Sequence, residues 1–378
     1  MIASASQPHL FIVGLGFVGE RVGLRAEELG WRVSGSCRTA EKAKIFRQRS
    51  GIAAHAFDLD DEYVGLNGAG LDALGSATHV LATMPPIADL SRDPLLALHR
   101  EALLRAACDG GGPLRWAGYL STTSVYGDHA GGWVDEDSPC LVGSESPAAY
   151  RLRAEAEWLG LHEASEGRLA TRAFRLAGIY GPGRSALETV IRRGGGPLLT
   201  APSGRGRAAQ LLPDEAALAA AVARAATAGE ASSASSSSLP LDAASLPGSS
   251  DRRSPVRYVS RIHVSDIASA LLASMAATAA GAAAERRAAA PAIYNLADDE
   301  PAPRGEVMAY AAALLGATSE AAVTAADSGG DSARARRRAT ESKRVGNQRM
   351  REELLPGGLA FPTYREGLRQ LALDAIGE

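Results

Sequence analysis

Cysteine is scarce in this chain, and so are long apolar runs and an excess of charge of either sign. Its three cysteines, Cys37, Cys108 and Cys140, have neither the close spacing of a metal site nor the even count of a disulfide scaffold. No apolar run reaches the ~20 residues that a membrane-spanning helix needs. With 40 basic and 43 acidic residues, the net charge of −3 offers no basic surface for nucleic acid or for an anionic membrane.

The first eight residues lack the features of a targeting segment. They have no basic flank and no apolar core, and they are too short for an organelle transit peptide. We therefore expect a soluble protein of a reducing compartment. The cytoplasm is the predicted location and the stroma of an organelle is the alternative. The expected partner is a small-molecule substrate, with no nucleic acid, no membrane and no metal site.

The most informative stretch is a glycine-rich turn near the N-terminus. A short apolar run leads into Gly14-x-Gly16-x-x-Gly19, with Phe17 and Val18 inside the turn, and a helical pattern follows. Gly14 would make the tight turn, Gly16 would let a pyrophosphate approach the backbone, and Gly19 would let the helix pack on the strand. The amides at such a helix start suit a phosphate. The turn predicts a dinucleotide site, with a purely structural turn as the alternative.

Apolar stretches alternate with segments of helical spacing along most of the chain. The predicted strands are 9–13, 31–36, 51–57, 78–83, 114–120, 169–176, 257–262 and 292–296. The predicted helices are 20–29, 39–48, 95–108, 147–163, 264–276, 307–315, 343–354 and 364–375. This alternation predicts an α/β fold with a Rossmann-type, doubly wound parallel sheet. We assign the NAD(P)-binding core to 1–180 and a smaller C-terminal substrate-binding lobe to 181–378.

Three stretches interrupt this pattern. The longest, about 203–255, is rich in Ser, Ala and Pro, although 208–228 could be helical. The other two, about 277–290 and 325–339, are rich in Ala and Arg. Such sequences bury too little apolar surface to offset their ordering entropy, so we predict a flexible insertion and two loops.

Several polar residues and the glycine turn fall at the carboxyl ends of predicted strands. They are Gly14, Arg38, Asp58, Thr83 and Thr122. In an open parallel sheet the ligand lies beyond the carboxyl ends of the strands. We therefore expect these residues to lie around one ligand.

The end of the second strand bears on the choice of cofactor. NAD-binding sites place an Asp or Glu ~20 residues beyond the glycine turn, where it bonds the ribose 2′-hydroxyl. Here the chain has Ser36, Cys37 and Arg38, followed by Thr39, and no carboxylate. Arginine suits a 2′-phosphate, so the sequence favours NADP, with NAD as the alternative.

Four segments together resemble a known family. They are STTSVYGD at 121–128, FRLAGIYGPGR at 174–184, RIHVSDIA at 261–268 and YNLADDEP at 294–301. In this order they are similar to the NAD(P)-dependent epimerase/dehydratase members of the extended short-chain dehydrogenase/reductase superfamily. Most of that superfamily has another glycine spacing, so the chain resembles its atypical members. The resemblance implies a homodimer formed through helices.

The resemblance also implies roles for single residues. Thr122 takes the position of the Ser/Thr that hydrogen-bonds the reacting oxygen of the substrate, and local capping of the backbone is the alternative. Asp58 corresponds to an acidic residue that contacts the adenine, with a helix N-cap as the alternative. Structural roles are expected for four further motif residues, Tyr126, Asp128, His263 and Asp266.

The catalytic helix departs from the family pattern, which is Tyr-x-x-x-Lys. Four residues after Tyr150 the chain has Ala154. In one register, Tyr150 is the acid/base and Arg153 supplies the cation that lowers its pKa. In the other, Arg153 takes the lysine position, Ala149 takes the tyrosine position, and no acid/base remains. Arginine can hold a ribose but cannot shuttle a proton.

Two functions follow from these observations. The first is an epimerase/dehydratase-like, NADP-dependent oxidoreductase that acts on a small hydroxylated or nucleotide-sugar substrate. The second is a catalytically degenerate NAD(P)-binding protein that works as a sensor or scaffold, because the helix lacks the lysine.

Overall fold

The computed structural model describes residues 7–59, 64–87, 92–108, 112–144, 146–192, 256–277, 290–317 and 341–376. The predicted insertion at 203–255 with its helix at 208–228, the loop at 325–339 and all but the ends of the loop at 277–290 lie outside these ranges.

The described strands form one large sheet and three small ones. In chain order they are β1 (His9–Val13), β2 (Arg32–Cys37), β3 (Ala53–Asp58), β4 (Gly65–Leu66), β5 (His79–Ala82), β6 (Trp116–Thr122), β7 (Trp133–Val134), β8 (Ala170–Leu176), β9 (Gly178–Tyr180), β10 (Tyr258–Val259), β11 (Arg261–His263), β12 (Ala292–Leu296), β13 (Ala302–Pro303) and β14 (Arg344–Val345). The large sheet has eight strands in the order β12-β8-β6-β5-β1-β2-β3-β4. Its strands are parallel except β4, which runs antiparallel to β3. The order reverses between β1 and β5, which makes that junction the topological switch point.

Helices cover both faces of this sheet. The described helices are α1 (Phe17–Glu28), α2 (Ala40–Ser50), α3 (Gly68–Gly75), α4 (Pro94–Cys108), α5 (Pro147–Leu159), α6 (Leu161–Ala164), α7 (Ala186–Arg192), α8 (Val264–Ala276), α9 (Arg304–Leu314), α10 (Gln348–Glu353) and α11 (Tyr364–Ile376). A short 3₁₀ helix (Thr123–Tyr126) follows β6. Within the ranges above, no helix is long and apolar enough to cross a membrane.

Alternate residues of β1 belong to two different apolar cores. Leu10 and Ile12 pack with side chains of α1, α2 and α8, whereas Phe11 and Val13 pack with side chains of α3, α4 and α5. All four are fully buried, as expected for a central strand whose side chains alternate between two covered faces. The predicted α/β class with a doubly wound parallel sheet is therefore confirmed.

A third apolar cluster joins α7, α9 and α11 and forms the smaller C-terminal lobe. The C-terminal part also returns to the large sheet, because β12 pairs with β8 and α8 packs on α1. The boundary at residue 180 stays a prediction.

Two helix predictions are wrong in detail. Residues 343–354 do not form one helix, because the backbone of Arg344–Val345 pairs with β7 and α10 begins only at Gln348. Residues 147–163 form two helices that meet at Gly160. The sequence also gave no signal for α3, because three of its eight residues are glycine, which disfavours helix.

Candidate dinucleotide site

The glycine turn lies at the switch point and is tied to both neighbouring strands. Gly14 has a φ of +102°, which favours glycine. The Leu15 amide donates to the Ser36 carbonyl oxygen (2.7 Å), and the Gly14 amide donates to Ser36 Oγ (3.1 Å). On the other side, Thr83 Oγ1 donates to the Gly14 carbonyl oxygen at 2.5 Å. The ends of β2 and β5 therefore fix the turn.

The second and third glycines face different surroundings. A Cβ atom added to Gly16 would meet no atom within 4 Å, so this part of the turn is open. A Cβ atom added to Gly19 would lie 2.5 Å from the Gly14 carbonyl oxygen and 3.0 Å from Ile12 Cγ2. Gly16 thus leaves the backbone accessible to a ligand, and Gly19 allows α1 to pack closely on β1.

A cavity of about 1100 Å³ opens beside the turn. It brings together four of the predicted site residues, Gly14, Gly16, Arg38 and Thr83. This volume is slightly larger than the ~300–1,000 Å³ of typical ligand pockets. The site lies outside the carboxyl ends of β1, β2 and β5, where open α/β sheets bind ligands.

Basic side chains line one end of this cavity. Lys42 and Arg49 of α2 join Arg38 there, beside the Cys37 thiol. Burial raises the pKa of the Cys37 thiol, and the nearby positive charges of Lys42, Arg47 and Arg49 oppose that rise. Sequence reasoning missed Lys42 and Arg49. They look like ordinary surface residues until α2 is placed against β2.

The other predicted cofactor residues lie around the cavity rather than in its lining. Phe17 opens α1 and is half-buried, and Val18 is buried in the core. Asp58 is the last residue of β3, is exposed, and is paired in register with Gly65 of β4. Its neighbour Leu59 lines the cavity.

Thr122 ends β6 and caps the 3₁₀ helix that follows. Its Oγ1 accepts a hydrogen bond from the Ser124 amide (3.2 Å) and donates to Ser124 Oγ (3.2 Å). The side chain is partly exposed. The hydroxyl therefore has a local structural role, and its role toward a substrate stays a prediction.

Tyr150 and Arg153 are stacked near the start of α5. The Arg153 guanidinium carbon lies 4.5 Å from the centre of the Tyr150 ring, and Arg153 is exposed. Ala154 is buried against the core that contains Trp158. A different arginine, Arg151, faces the sheet and donates to the Leu120 carbonyl oxygen at the end of β6 (3.1 Å).

The motif residues form a buried polar network behind this helix. The Arg175 guanidinium pairs with the Glu155 carboxylate (2.8 Å), which also accepts a hydrogen bond from Ser121 Oγ. Arg175 donates to the Tyr126 hydroxyl (3.0 Å), which donates to Asn295 Oδ1 (2.7 Å). Burial raises the pKa of Tyr126 to about 12, against the opposing effect of Arg175, so this phenol stays protonated. The network joins β6, β8 and β12.

The remaining motif residues also make structural contacts. Asp128 accepts the amides of Ala130 and Ser342 (3.1 and 2.9 Å), and these bonds lower its pKa. Asp266 accepts the amides of Ala360 and Phe361 (2.7 and 3.1 Å). In the described ranges no group of three or more His, Cys, Asp or Glu residues could hold a metal ion.

His263 caps α8 through its imidazole. The ring accepts a hydrogen bond from the Ser265 amide (3.2 Å). Burial lowers the pKa of His263 to about 4, so the imidazole is neutral at neutral pH. Both the capping hydrogen bond and the neutral imidazole indicate a structural role for His263.

Comparisons with known proteins place this geometry among Rossmann-type structures. No model of a protein family matches the sequence. The chain is 31% identical over 173 residues to the Escherichia coli K12 protein YeeZ, and the match covers 46% of this chain and 59% of YeeZ, less than two thirds of its length. A conserved protein of unknown function from Silicibacter pomeroyi is 29% identical, with a TM-score of 0.64 over 97% of this chain and 99% of that one.

A dTDP-glucose 4,6-dehydratase from Bacillus anthracis, solved with NAD, shares the fold at 13% identity. Its TM-score is 0.56, over 97% of this chain and 96% of that one. Other structures of this fold include UDP-sugar 4-epimerases. The fold is therefore the one used by NAD-dependent epimerases and dehydratases.

Proposed function

We propose that the chain binds NADP and acts as an epimerase/dehydratase-like oxidoreductase on a small hydroxylated or nucleotide-sugar substrate. The observation that carries this proposal is the glycine turn at the switch point, which opens through Gly16 onto the cavity. The helix start of α1 would face the diphosphate of the cofactor. The resemblance of four motif segments to that family and the NAD-bound dehydratase of the same fold support the same conclusion.

The basic end of the cavity supports NADP over NAD. Arg38, Lys42 and Arg49 line it, and the described lining residues include no carboxylate that could bond a ribose 2′-hydroxyl. Arg38 directly follows β2, where NAD-binding sites place their carboxylate, so it is the main candidate for a 2′-phosphate, with Lys42 and Arg49 of α2 lining the same cavity. A guanidinium binds phosphate through two parallel hydrogen bonds.

The proposed acid/base is Tyr150. A bound nicotinamide supplies the hydride acceptor, and the chain must then move a proton at the substrate oxygen. The Arg153 guanidinium lies over the Tyr150 ring (4.5 Å), so Arg153 would be the cation beside this tyrosine where the family has a lysine. Thr122 would orient the same oxygen by a hydrogen bond.

Two observations favour the second candidate, a protein that binds the dinucleotide and lacks turnover. The position four residues after Tyr150 carries no cation, because it is occupied by Ala154, which is buried in the core (1% exposed). The Thr122 hydroxyl is also engaged with Ser124. Both candidates predict cofactor binding, so only turnover separates them.

The separating experiment is a Tyr150→Phe variant whose product formation is measured on a panel of nucleotide sugars and hydroxylated compounds, in the presence of NADP⁺ and, separately, of NADPH. We expect turnover to fall about 100-fold or more, because general acid/base catalysis contributes ~10²–10⁴-fold. Tyr310→Phe is the matched control, since Arg365 lies over the Tyr310 ring (5.1 Å) in the C-terminal lobe. Equal turnover in Tyr150→Phe and wild type would remove Tyr150 from the mechanism. No turnover by wild type on any compound, with intact NADPH binding, would favour the sensor.

The cofactor preference is tested separately by isothermal titration calorimetry. Arg38→Ala should weaken NADPH binding about 10-fold or more and leave NADH binding unchanged, because a hydrogen bond to a charged group contributes ~1.5–3 kcal/mol. Equal losses for both cofactors would contradict the 2′-phosphate assignment.

A further inference from the structure

A tight turn between β9 and α7 places a further cation, Arg184, next to the glycine turn. Gly181 and Arg184 exchange backbone hydrogen bonds of 3.0 Å in both directions, which closes the turn. The side chains of α7 belong to the apolar cluster of the C-terminal lobe. Arg184 therefore stands at the point where the chain enters that lobe.

This turn touches the start of α1. A Cβ atom added to Gly181 would lie 3.3 Å from Phe17 Cζ and 2.6 Å from Val264 Cγ1, so only glycine allows the approach. The Arg184 guanidinium carbon lies 5.3 Å from the centre of the Phe17 ring. Phe17 directly follows Gly16, whose backbone faces open space. The Arg184 guanidinium therefore lies over Phe17, the residue that directly follows the open Gly16 in the sequence.

The charge of Arg184 has no carboxylate partner among the residues that the structure describes, and the side chain is exposed. A planar guanidinium on an aromatic ring is held by cation–π attraction and keeps its N–H donors for another acceptor. The positive end of the α1 dipole favours an anion at the same place.

We propose that Arg184 binds the diphosphate of the dinucleotide from the C-terminal lobe, with Phe17 as the platform that orients it. This inference rests on the proposed dinucleotide binding. It assigns to the second lobe a direct contact with the cofactor, so that cofactor binding would stabilise the existing contact between this turn and the start of α1.

The test is calorimetric binding of three probes, NADPH, NADH and 2′-AMP, to Arg184→Ala. We expect Kd to rise about 10- to 100-fold for NADPH and for NADH alike, and to stay unchanged for 2′-AMP, which has no diphosphate. Arg192→Ala, an exposed arginine at the end of α7, is the control and should bind all three probes as wild type does. Phe17→Leu should cause a smaller rise, about 2- to 5-fold, through loss of the platform.

The experiment distinguishes failure of the Arg184 inference from failure of the proposed function. If wild type binds no dinucleotide, the proposed function fails and this inference fails with it. If wild type binds and Arg184→Ala binds both dinucleotides within twofold of it, the diphosphate contact is refuted and the proposed function stands. A loss confined to NADPH would also refute it, because Arg184 would then serve the 2′-phosphate. Arg184→Gln, which keeps a polar side chain without the charge, replaces Arg184→Ala if that variant fails to fold, and must show the same pattern.

Discussion

The buried ion pair between Glu155 and Arg175 should dominate the stability of the sheet on its β6–β8 side. The side chains are 3% and 5% exposed, and the guanidinium contacts the carboxylate through two nitrogen atoms. Glu155→Gln keeps the shape but leaves the Arg175 charge uncompensated in a buried site. Breaking such a pair costs ~3–5 kcal/mol.

Urea unfolding followed by circular dichroism measures this cost. Glu28→Gln is the control, because it breaks the exposed pair with Arg25, whose side chains are 54% and 61% exposed. A surface pair of that kind contributes ~0–1 kcal/mol. The double variant Glu155→Gln/Arg175→Met should lose less than the two single variants together, because neither charge is then left alone. A loss below about 1 kcal/mol in Glu155→Gln would refute the reasoning.

Three further predictions concern single residues near β1. Burial lowers the pKa of His79 to about 4, so the stability from its neutral form is present above pH ~6.5 and is lost as the pH falls towards 4. Between pH 7 and pH 4 the free energy of unfolding in urea should therefore fall by up to about 3 kcal/mol more in wild type than in His79→Gln. Gly19→Ala, whose Cβ would lie 2.5 Å from the Gly14 carbonyl oxygen, should lower the melting temperature and weaken NADPH binding, and a wild-type profile would contradict the close packing of α1. Thr83→Val, which removes the bond to the Gly14 carbonyl oxygen, should cost ~0.5–1.5 kcal/mol in urea unfolding, and no loss would show that β5 does not fix the turn.

The sheet and the glycine turn could be predicted from sequence because their signals are local. Four apolar residues after His9, a turn with Gly14, Gly16 and Gly19, and a helical period follow one another directly, and most of the longer strands and helices show a local pattern of the same kind. The packing of α1 on β1 depends on Gly19 of this turn, and the alternation of β1 side chains between two cores follows from strand geometry, which points successive side chains to opposite faces of the sheet.

Contacts between distant segments could not be predicted in the same way. Arg184 and Phe17 are 167 positions apart, and only the folded β9–α7 turn brings them together. The helical period alone does not show that Glu155, and not Glu157, faces the sheet, because that depends on Arg175 of a later strand. Knowledge that Glu155 faces the sheet would also have pointed to Arg151, which lies one turn before Glu155 on the same face of α5.

The Gly16→Ala variant, titrated with NADPH by calorimetry, tests the central claim most directly. The added Cβ meets no protein atom within 4 Å, so the variant should fold as wild type does, with a loss of at most ~1 kcal/mol at the helix start. If the dinucleotide lies against this backbone, the methyl group occupies its place and Kd for NADPH should rise at least about 10-fold. Equal affinity of Gly16→Ala and wild type for NADPH, or no binding by wild type, would contradict the account.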